Sequence, residues 1–338
     1  MIKAGIIGMG GMGHMHFGVY DKISEASVVA VADIDEDKLR PGDSTEEINI
    51  GGGDASLDPD RQQLYTDPDE LIADDEVELV DVCLPTYLHA EMVVKALNAG
   101  KNVLCEKPMA MNFQECQRML EAADRSDGML MIAHCIRFWP EYGYLKETVD
   151  SGRLGKVCSA EFWRGGPAPT WSWEGWLEDS CRSGGAILDL HIHDADFIQY
   201  LFGSPPAVCS SGAVGHTGGI DMINTLYLYD APMTVHSGSS QGLPESVGFE
   251  MKYAVAFEKG VVTFSSKDSP TLSEYSDAGT SHPEVKDSDG YTEEIRYFAS
   301  CIEKGEAPAM CTPESAATSI QLVMAEEESV QTGQTVSP

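Results

Sequence analysis

Near its start the chain reads Ala4-Gly5-Ile6-Ile7-Gly8-Met9-Gly10-Gly11-Met12-Gly13, an apolar run that ends in four glycines within six residues. Gly8, Gly10 and Gly13 satisfy Gly-x-Gly-x-x-Gly, with Gly11 and Met12 inside the motif, and the run before it has the length and composition of a strand. Between a strand and a helix, the first glycine permits a tight turn, the second lets the backbone approach a ligand, and the third lets helix and strand pack closely. The helix start then offers unbonded backbone N–H groups and positive dipole to a pyrophosphate. No lysine lies within the turn, so backbone amides are expected to carry that contact. A chain opening in this way is expected to bind a dinucleotide.

Asp33 closes the next apolar run, residues 28–32, and falls 20 positions beyond Gly13, with Ile34 after it. A carboxylate there accepts hydrogen bonds from the adenosine ribose and repels a 2′-phosphate. From Asp33 to Glu78 there are 17 acids against 3 bases, Lys38, Arg40 and Arg61. NAD is therefore expected over NADP.

Apolar runs at 2–7, 28–32, 79–84, 102–105 and 129–133 alternate with amphipathic stretches at 88–99 and 112–125. That alternation implies a parallel sheet built from βαβ units. Asn112, with Glu115 three residues later, has the spacing of a helix N-cap. Residues 40–60 break the rhythm with Pro41 and Gly51-Gly52-Gly53, and read as a long surface loop.

Beyond Cys135 the pattern changes to strands in series at 156–163, 208–213, 222–229, 233–239, 249–257 and 261–264. A mostly antiparallel sheet is expected, interrupted by one helix at 186–202, with helices at 291–303 and 313–330 closing the chain. The fold class is α/β: a dinucleotide-binding domain over 1–134, then an α+β domain over 135–338 with a large open-faced sheet for substrate binding and oligomerisation.

Composition narrows the function. With 55 Asp plus Glu against 22 Lys plus Arg, the net charge of −33 disfavours nucleic acid and anionic membranes as partners. No apolar run approaches the roughly 18 residues of a membrane-spanning helix. Nine cysteines, an odd number without a Cys-x-x-Cys pair, suggest reduced thiols and a cytoplasmic protein.

Further stretches add to the glycine turn: Leu84-Pro85-Thr86-Tyr87-Leu88-His89, Cys105-Glu106-Lys107-Pro108, Arg137-Phe138-Trp139-Pro140, and the run from Ser183 through Asp189, His191 and His193 to Asp196. Together they resemble the glucose-fructose oxidoreductase and myo-inositol dehydrogenase (Gfo/Idh/MocA) family over nearly the whole chain. The resemblance implies a Rossmann domain with an NAD(P)-dependent oxidoreductase activity. It implies that Lys107 contacts both nicotinamide and the reacting hydroxyl, and that Pro85, Thr86, His89 and Glu106 lie at the cofactor edge. Two departures stand out: residues 40–60 are longer than usual, and His191 stands where many members carry glycine or alanine.

Oxidising a secondary alcohol requires a hydride acceptor, a base for the hydroxyl proton, and a cation or donor for the developing alkoxide. Lys107, just beyond a strand's C-terminal end, suits the last task. Asp189 and His193, four apart on a helix, share one face, and His193 suits the proton transfer with Asp189 orienting. Asp189, His191 and His193 would converge on a metal only from a strand, so no metal is expected. Arg137, Arg164 and Trp176, the last from the Trp171-Trp173-Trp176 cluster, are candidate substrate contacts.

These residues point to an NAD-dependent dehydrogenase acting on a sugar, polyol or inositol-like alcohol, expected as a homodimer or homotetramer. Two alternatives share the fold: an enzyme that cleaves glycosidic bonds through transient oxidation, and a non-catalytic NAD-binding regulator. His14 and His16 are given no role.

Overall fold

A computed structural model describes residues 1–40, 42–46 and 53–338. The chain divides into two compact units, one formed by Met1–Cys135, Thr170–Trp176 and Gly290–Ala317, the other by Ile136–Pro169, Leu177–Asp289 and Thr318–Pro338. The expected division into 1–134 and 135–338 is thus amended, because the chain returns to the first unit twice.

In the first unit the order is β1 (Ile2–Ile7), α1 (Gly11–Tyr20), β2 (Ala26–Ala32), β3 (Gly42–Glu46), β4 (Gly53–Leu57), β5 (Gln63–Tyr65), α2 (Pro68–Ala73), β6 (Leu79–Val82), α3 (His89–Asn98), β7 (Asn102–Glu106), α4 (Phe113–Arg125) and β8 (Leu130–Ala133). Six strands form a sheet in the order β5-β2-β1-β6-β7-β8, and every pair in it is parallel. β6 and β8 are buried at every position, as strands with helices on both faces must be. The strand order reverses between β1 and β6, which places the ligand crevice of such a sheet at the C-terminal ends of those strands. Asn112 caps α4 by accepting the Glu115 N–H at 3.0 Å, and Asp67 caps α2 ahead of Pro68.

The segment expected as a loop over 40–60 differs. β3 and β4 pair antiparallel from Gly42 opposite Leu57 to Glu46 opposite Gly53. The short strands lack the alternation that marks a half-buried sheet, so pattern reading passed them over. The Gly51-Gly52 part of that expectation lies outside the described residues.

The second unit contains α5 (Pro140–Ser151), β9 (Val157–Gly166), α6 (Ser180–Ser183), a single π-helical turn (Ile187–His191), α7 (Ile192–Phe202), β10 (Ala207–Val214), β11 (Ile220–Leu228), β12 (Thr234–Gln241), β13 (Glu250–Phe257), β14 (Gly260–Ser265), β15 (Leu272–Ser276) and β16 (Gly279–Ser281). Its eight strands run in the order β10-β11-β12-β9-β13-β14-β15-β16. Only β12 and β9 pair parallel; the other pairs are antiparallel. On β11, Ile223, Thr225 and Tyr227 turn inward while Met222, Leu226 and Leu228 turn out. One face of the sheet is covered by an aromatic core in which Tyr142 of α5 meets Phe197 of α7 at 4.8 Å and Tyr253 of β13 at 5.2 Å, both edge-on.

The chain then returns to the first unit through α8 (Gly290–Lys304), and α9 (Pro313–Thr332) starts there, its residues from Thr318 onward belonging to the second. No helix among the described residues is long and apolar enough to cross a membrane.

Candidate active site

The glycine turn forms as its spacing predicts. Gly8 has φ +96°, a conformation that side chains resist, and a Cβ on it would meet the Cys83 carbonyl oxygen at 2.6 Å. A Cβ on Gly13 would stand 2.0 Å from the Gly8 carbonyl oxygen, so α1 sits on the turn as only glycine allows. Gly10 differs: its nearest neighbour is the Lys38 Nζ at 4.0 Å, leaving open space over the backbone. No side chain caps α1 and no acid lies in its first turn, despite the acidity of the chain. Open space, uncapped N–H groups and a nearby cation suit a pyrophosphate. Lys38 adds a cation beside the backbone amides expected there. Its signal was its place five residues after Asp33.

Asp33 follows directly after β2 and binds the turn. Its Oδ2 accepts the Met9 N–H at 2.7 Å and its Oδ1 accepts the Asp35 N–H at 2.9 Å. Ile34 beside it is 69% exposed. The carboxylate is therefore preset at the sheet's C-terminal edge, beside the pyrophosphate turn.

At the ends of β6 and β7 the other expected cofactor residues meet. Thr86 is buried, and its hydroxyl has no hydrogen-bond partner among the described residues, as a side chain awaiting a ligand would be. His89 is spent differently: its ring nitrogens lie 2.8 Å from the Pro108 and Leu84 carbonyl oxygens, so it ties two loops together rather than facing a cofactor. Burial lowers its pKa, against both carbonyl contacts, which favour the protonated ring. Glu106 is also turned inward, its Oε2 accepting the Lys107 backbone N–H at 2.9 Å. Pro85 precedes Thr86 in the same turn, and Lys107 is half-buried at the end of β7, followed by a cis peptide to Pro108.

In the second unit Asp189 lies within the π turn and His193 in the first turn of α7. The helix expected over 186–202 begins after Gly184 and Gly185, both at positive φ, but its first part is the π turn Ile187–His191 and only the rest is α-helical. A π turn widens the helix by one residue and recurs at functional sites. Asp189 and His193 are half-buried while Ile187, Leu188, His191, Ile192 and Asp194 are buried. His191 points inward, its Nε2 2.8 Å from Glu326 Oε2, both side chains fully buried.

Arg137 and Arg164 are corrected as substrate contacts. Arg137 binds Asp196 through Nε and Nη2 at 2.8 and 2.6 Å, and Arg164 binds Asp194 at 3.2 and 3.1 Å. Only 5% and 2% of these residues is exposed, so their guanidinium groups hold α7 in place. Trp176 is half-buried in the Thr170–Trp176 segment of the first unit.

No role for His16 is legible in its spacing. It is fully buried, with Nδ1 2.9 Å from Asp81 Oδ2 and Nε2 3.1 Å from Glu106 Oε1. Burial works against its charge, but the Asp81 carboxylate and Cys83, with their hydrogen bonds, outweigh it and raise the imidazole well above its ordinary pKa. Among the described residues, His16 with Asp81 and Cys83, and His16 with Glu106 and Glu294, bring their ligand atoms within 4.8 Å of one another. Neither cluster includes Asp189, His191 or His193.

Residues 2–134 match the family model described as "Oxidoreductase family, NAD-binding Rossmann fold", and residues 142–263 match the "GFO/IDH/MocA C-terminal domain". A myo-inositol 2-dehydrogenase of Thermotoga maritima is 29% identical over 91% of this chain and 90% of its own. A 2,7-anhydro-N-acetylneuraminate hydratase of Mediterraneibacter gnavus is 35% identical over 48% of this chain and 46% of its own. Among solved structures, a probable dehydrogenase from Thermotoga maritima superimposes with a TM-score of 0.81 at 26% identity, covering 99% of this chain and 98% of that one.

Proposed function

Since the chain belongs to the GFO/IDH/MocA family of NAD-binding oxidoreductases, we propose that it is a dehydrogenase oxidising a secondary alcohol of a sugar, polyol or inositol-like substrate. Bound NAD supplies the hydride acceptor. Gly8, Gly10, Gly11, Met12 and Gly13 would hold the pyrophosphate, with Lys38 beside them, while Asp33 and Ile34 would meet the adenosine ribose. Lys107 donates to the alcohol oxygen as negative charge builds there, His193 takes the hydroxyl proton on a ring nitrogen, and Asp189 orients the substrate or the ring.

The observation that carries this reading is the setting of Lys107. Its backbone is anchored through Glu106 at the ligand edge of a parallel sheet whose glycine turn is open to a pyrophosphate. The whole-length likeness to a myo-inositol 2-dehydrogenase supports a cyclic polyol first. The outward Met222, Leu226 and Leu228 on β11 support a second copy covering the open sheet face, giving a homo-oligomer.

A second reading is favoured by the likeness to the hydratase over nearly half the chain. On this reading, oxidation by this chain is transient and the product leaves without net redox change. A panel of inositols, polyols, sugars and anhydrosugars, scored for NADH and for released product with NADP in parallel, decides between them. Accumulating NADH supports the dehydrogenase; product without NADH supports the second reading, and neither from any substrate counts against both.

A further inference from the structure

Lys107 is held from two sides within the first unit. Behind it, Glu106 Oε2 accepts the Lys107 N–H at 2.9 Å, and Glu106 Oε1 faces His16 Nε2 at 3.1 Å. His16 Nδ1 in turn meets Asp81 Oδ2 at 2.9 Å, and that oxygen also accepts the Tyr20 hydroxyl at 3.0 Å. Ahead of it, His89 joins the Pro108 carbonyl to the Leu84 carbonyl. Three separate elements, α1, β6 and β7, therefore meet on one chain of polar contacts that ends on the main chain of Lys107.

This chain is an unusual choice for mere stability. Taking ions out of water is costly, and apolar packing of the same volume often serves as well or better. An imidazole hydrogen-bonded to Asp81 on one side and in ion-pair contact with Glu106 at 3.1 Å on the other sets the spacing of two strands and a helix, which apolar packing does not.

We propose that Asp81, His16 and Glu106 form a positioning chain for Lys107, in which His16 holds one oxygen of the Glu106 carboxylate so that the other sets the Lys107 backbone, and with it the aim of the ammonium. The proposal rests on Lys107 being the group that meets the reacting hydroxyl. His16 acts through Glu106 and touches neither substrate nor cofactor.

The test compares His16→Ala, Asp81→Asn, Glu106→Ala, Glu106→Gln and Lys107→Ala in the full chain, on the substrate found by the panel. Melting curves establish that each variant is folded at the assay temperature. His16→Ala and Glu106→Ala are expected to lower kcat about 10- to 100-fold, as a misplacement of about 1 Å does, while substrate KM and the NAD Kd stay within about 3-fold. Glu106→Gln keeps an acceptor for the Lys107 N–H but turns an amide NH2 toward His16 Nε2, so it is expected to lose kcat about as far as His16→Ala. If His16→Ala fails to fold, the isosteric Asp81→Asn carries the same comparison. Unchanged kcat in the folded His16 or Asp81 variant, or wild-type kcat in Glu106→Gln, overturns the positioning chain. Turnover that survives Lys107→Ala removes instead the role of Lys107 itself.

Discussion

The Met9 backbone N–H donates to Asp33 Oδ2 at 2.7 Å, across 24 residues of sequence, and so binds the end of β2 to the glycine turn. One Asp33 oxygen braces the turn, and on the proposed reading the carboxylate would meet the adenosine ribose. Asp33→Ser is expected to lower kcat/KM for NAD about 10-fold, the worth of one hydrogen bond to a charged group, and to raise it for NADP. Initial rates with both nucleotides check this, and an unaltered NAD to NADP ratio would count against the assignment.

Lys107→Ala and His193→Ala should each abolish turnover while leaving the NAD Kd nearly intact, since neither residue belongs to the pyrophosphate turn. A losing variant with several-fold weaker NAD binding would point to a cofactor contact instead of a role in the chemical step. Nucleotide titration alongside single-turnover rates separates the two.

Arg164 is expected to act on stability and not on substrate. Arg164→Ala leaves the buried Asp194 carboxylate without its guanidinium, and breaking such a pair costs about 3–5 kcal/mol. Denaturant midpoints measure it. Normal stability with a raised substrate KM would restore Arg164 as a substrate contact.

Acid should weaken the second unit partly through Glu274. The Arg153 hydrogen bond, against desolvation and aided by Tyr144, lowers its carboxyl below the ordinary value of 4.5. A folded value below the unfolded one contributes stability that is present above the ordinary value and is lost as pH falls through the folded value. Glu274→Gln should therefore be less stable than wild type by about 1 kcal/mol near neutral pH, and the gap should narrow as pH falls below 4.5. Melting temperatures across that range test it, and a gap independent of pH would exclude the carboxylate as its cause.

The first unit was legible because its signals are local. The glycine turn, the Asn112 cap and the apolar runs of β1, β6, β7 and β8 each act over a few residues. β15 and β16, short and set among Ser, Glu and Gly, leave no periodic signal, and neither do β3 and β4. The π turn at Ile187–His191 was also beyond pattern reading, because apolar spacing does not register one inserted residue within a single turn.

For the site the division is between presence and use. From the sequence alone come the nucleotide turn, the carboxylate of Asp33, the placement of Lys107 after a strand, and Asp189 and His193 four apart. Spacing along one strand or helix sets all of these. The tertiary structure alone decided that His89 and Glu106 brace loops, that Arg137 and Arg164 are consumed in buried ion pairs, and that His16 stands between Asp81 and Glu106. His16 lies 65 residues from Asp81. A histidine's role follows from the charges that meet it, and only folding brings charges so distant in sequence to within 3 Å or so of one ring.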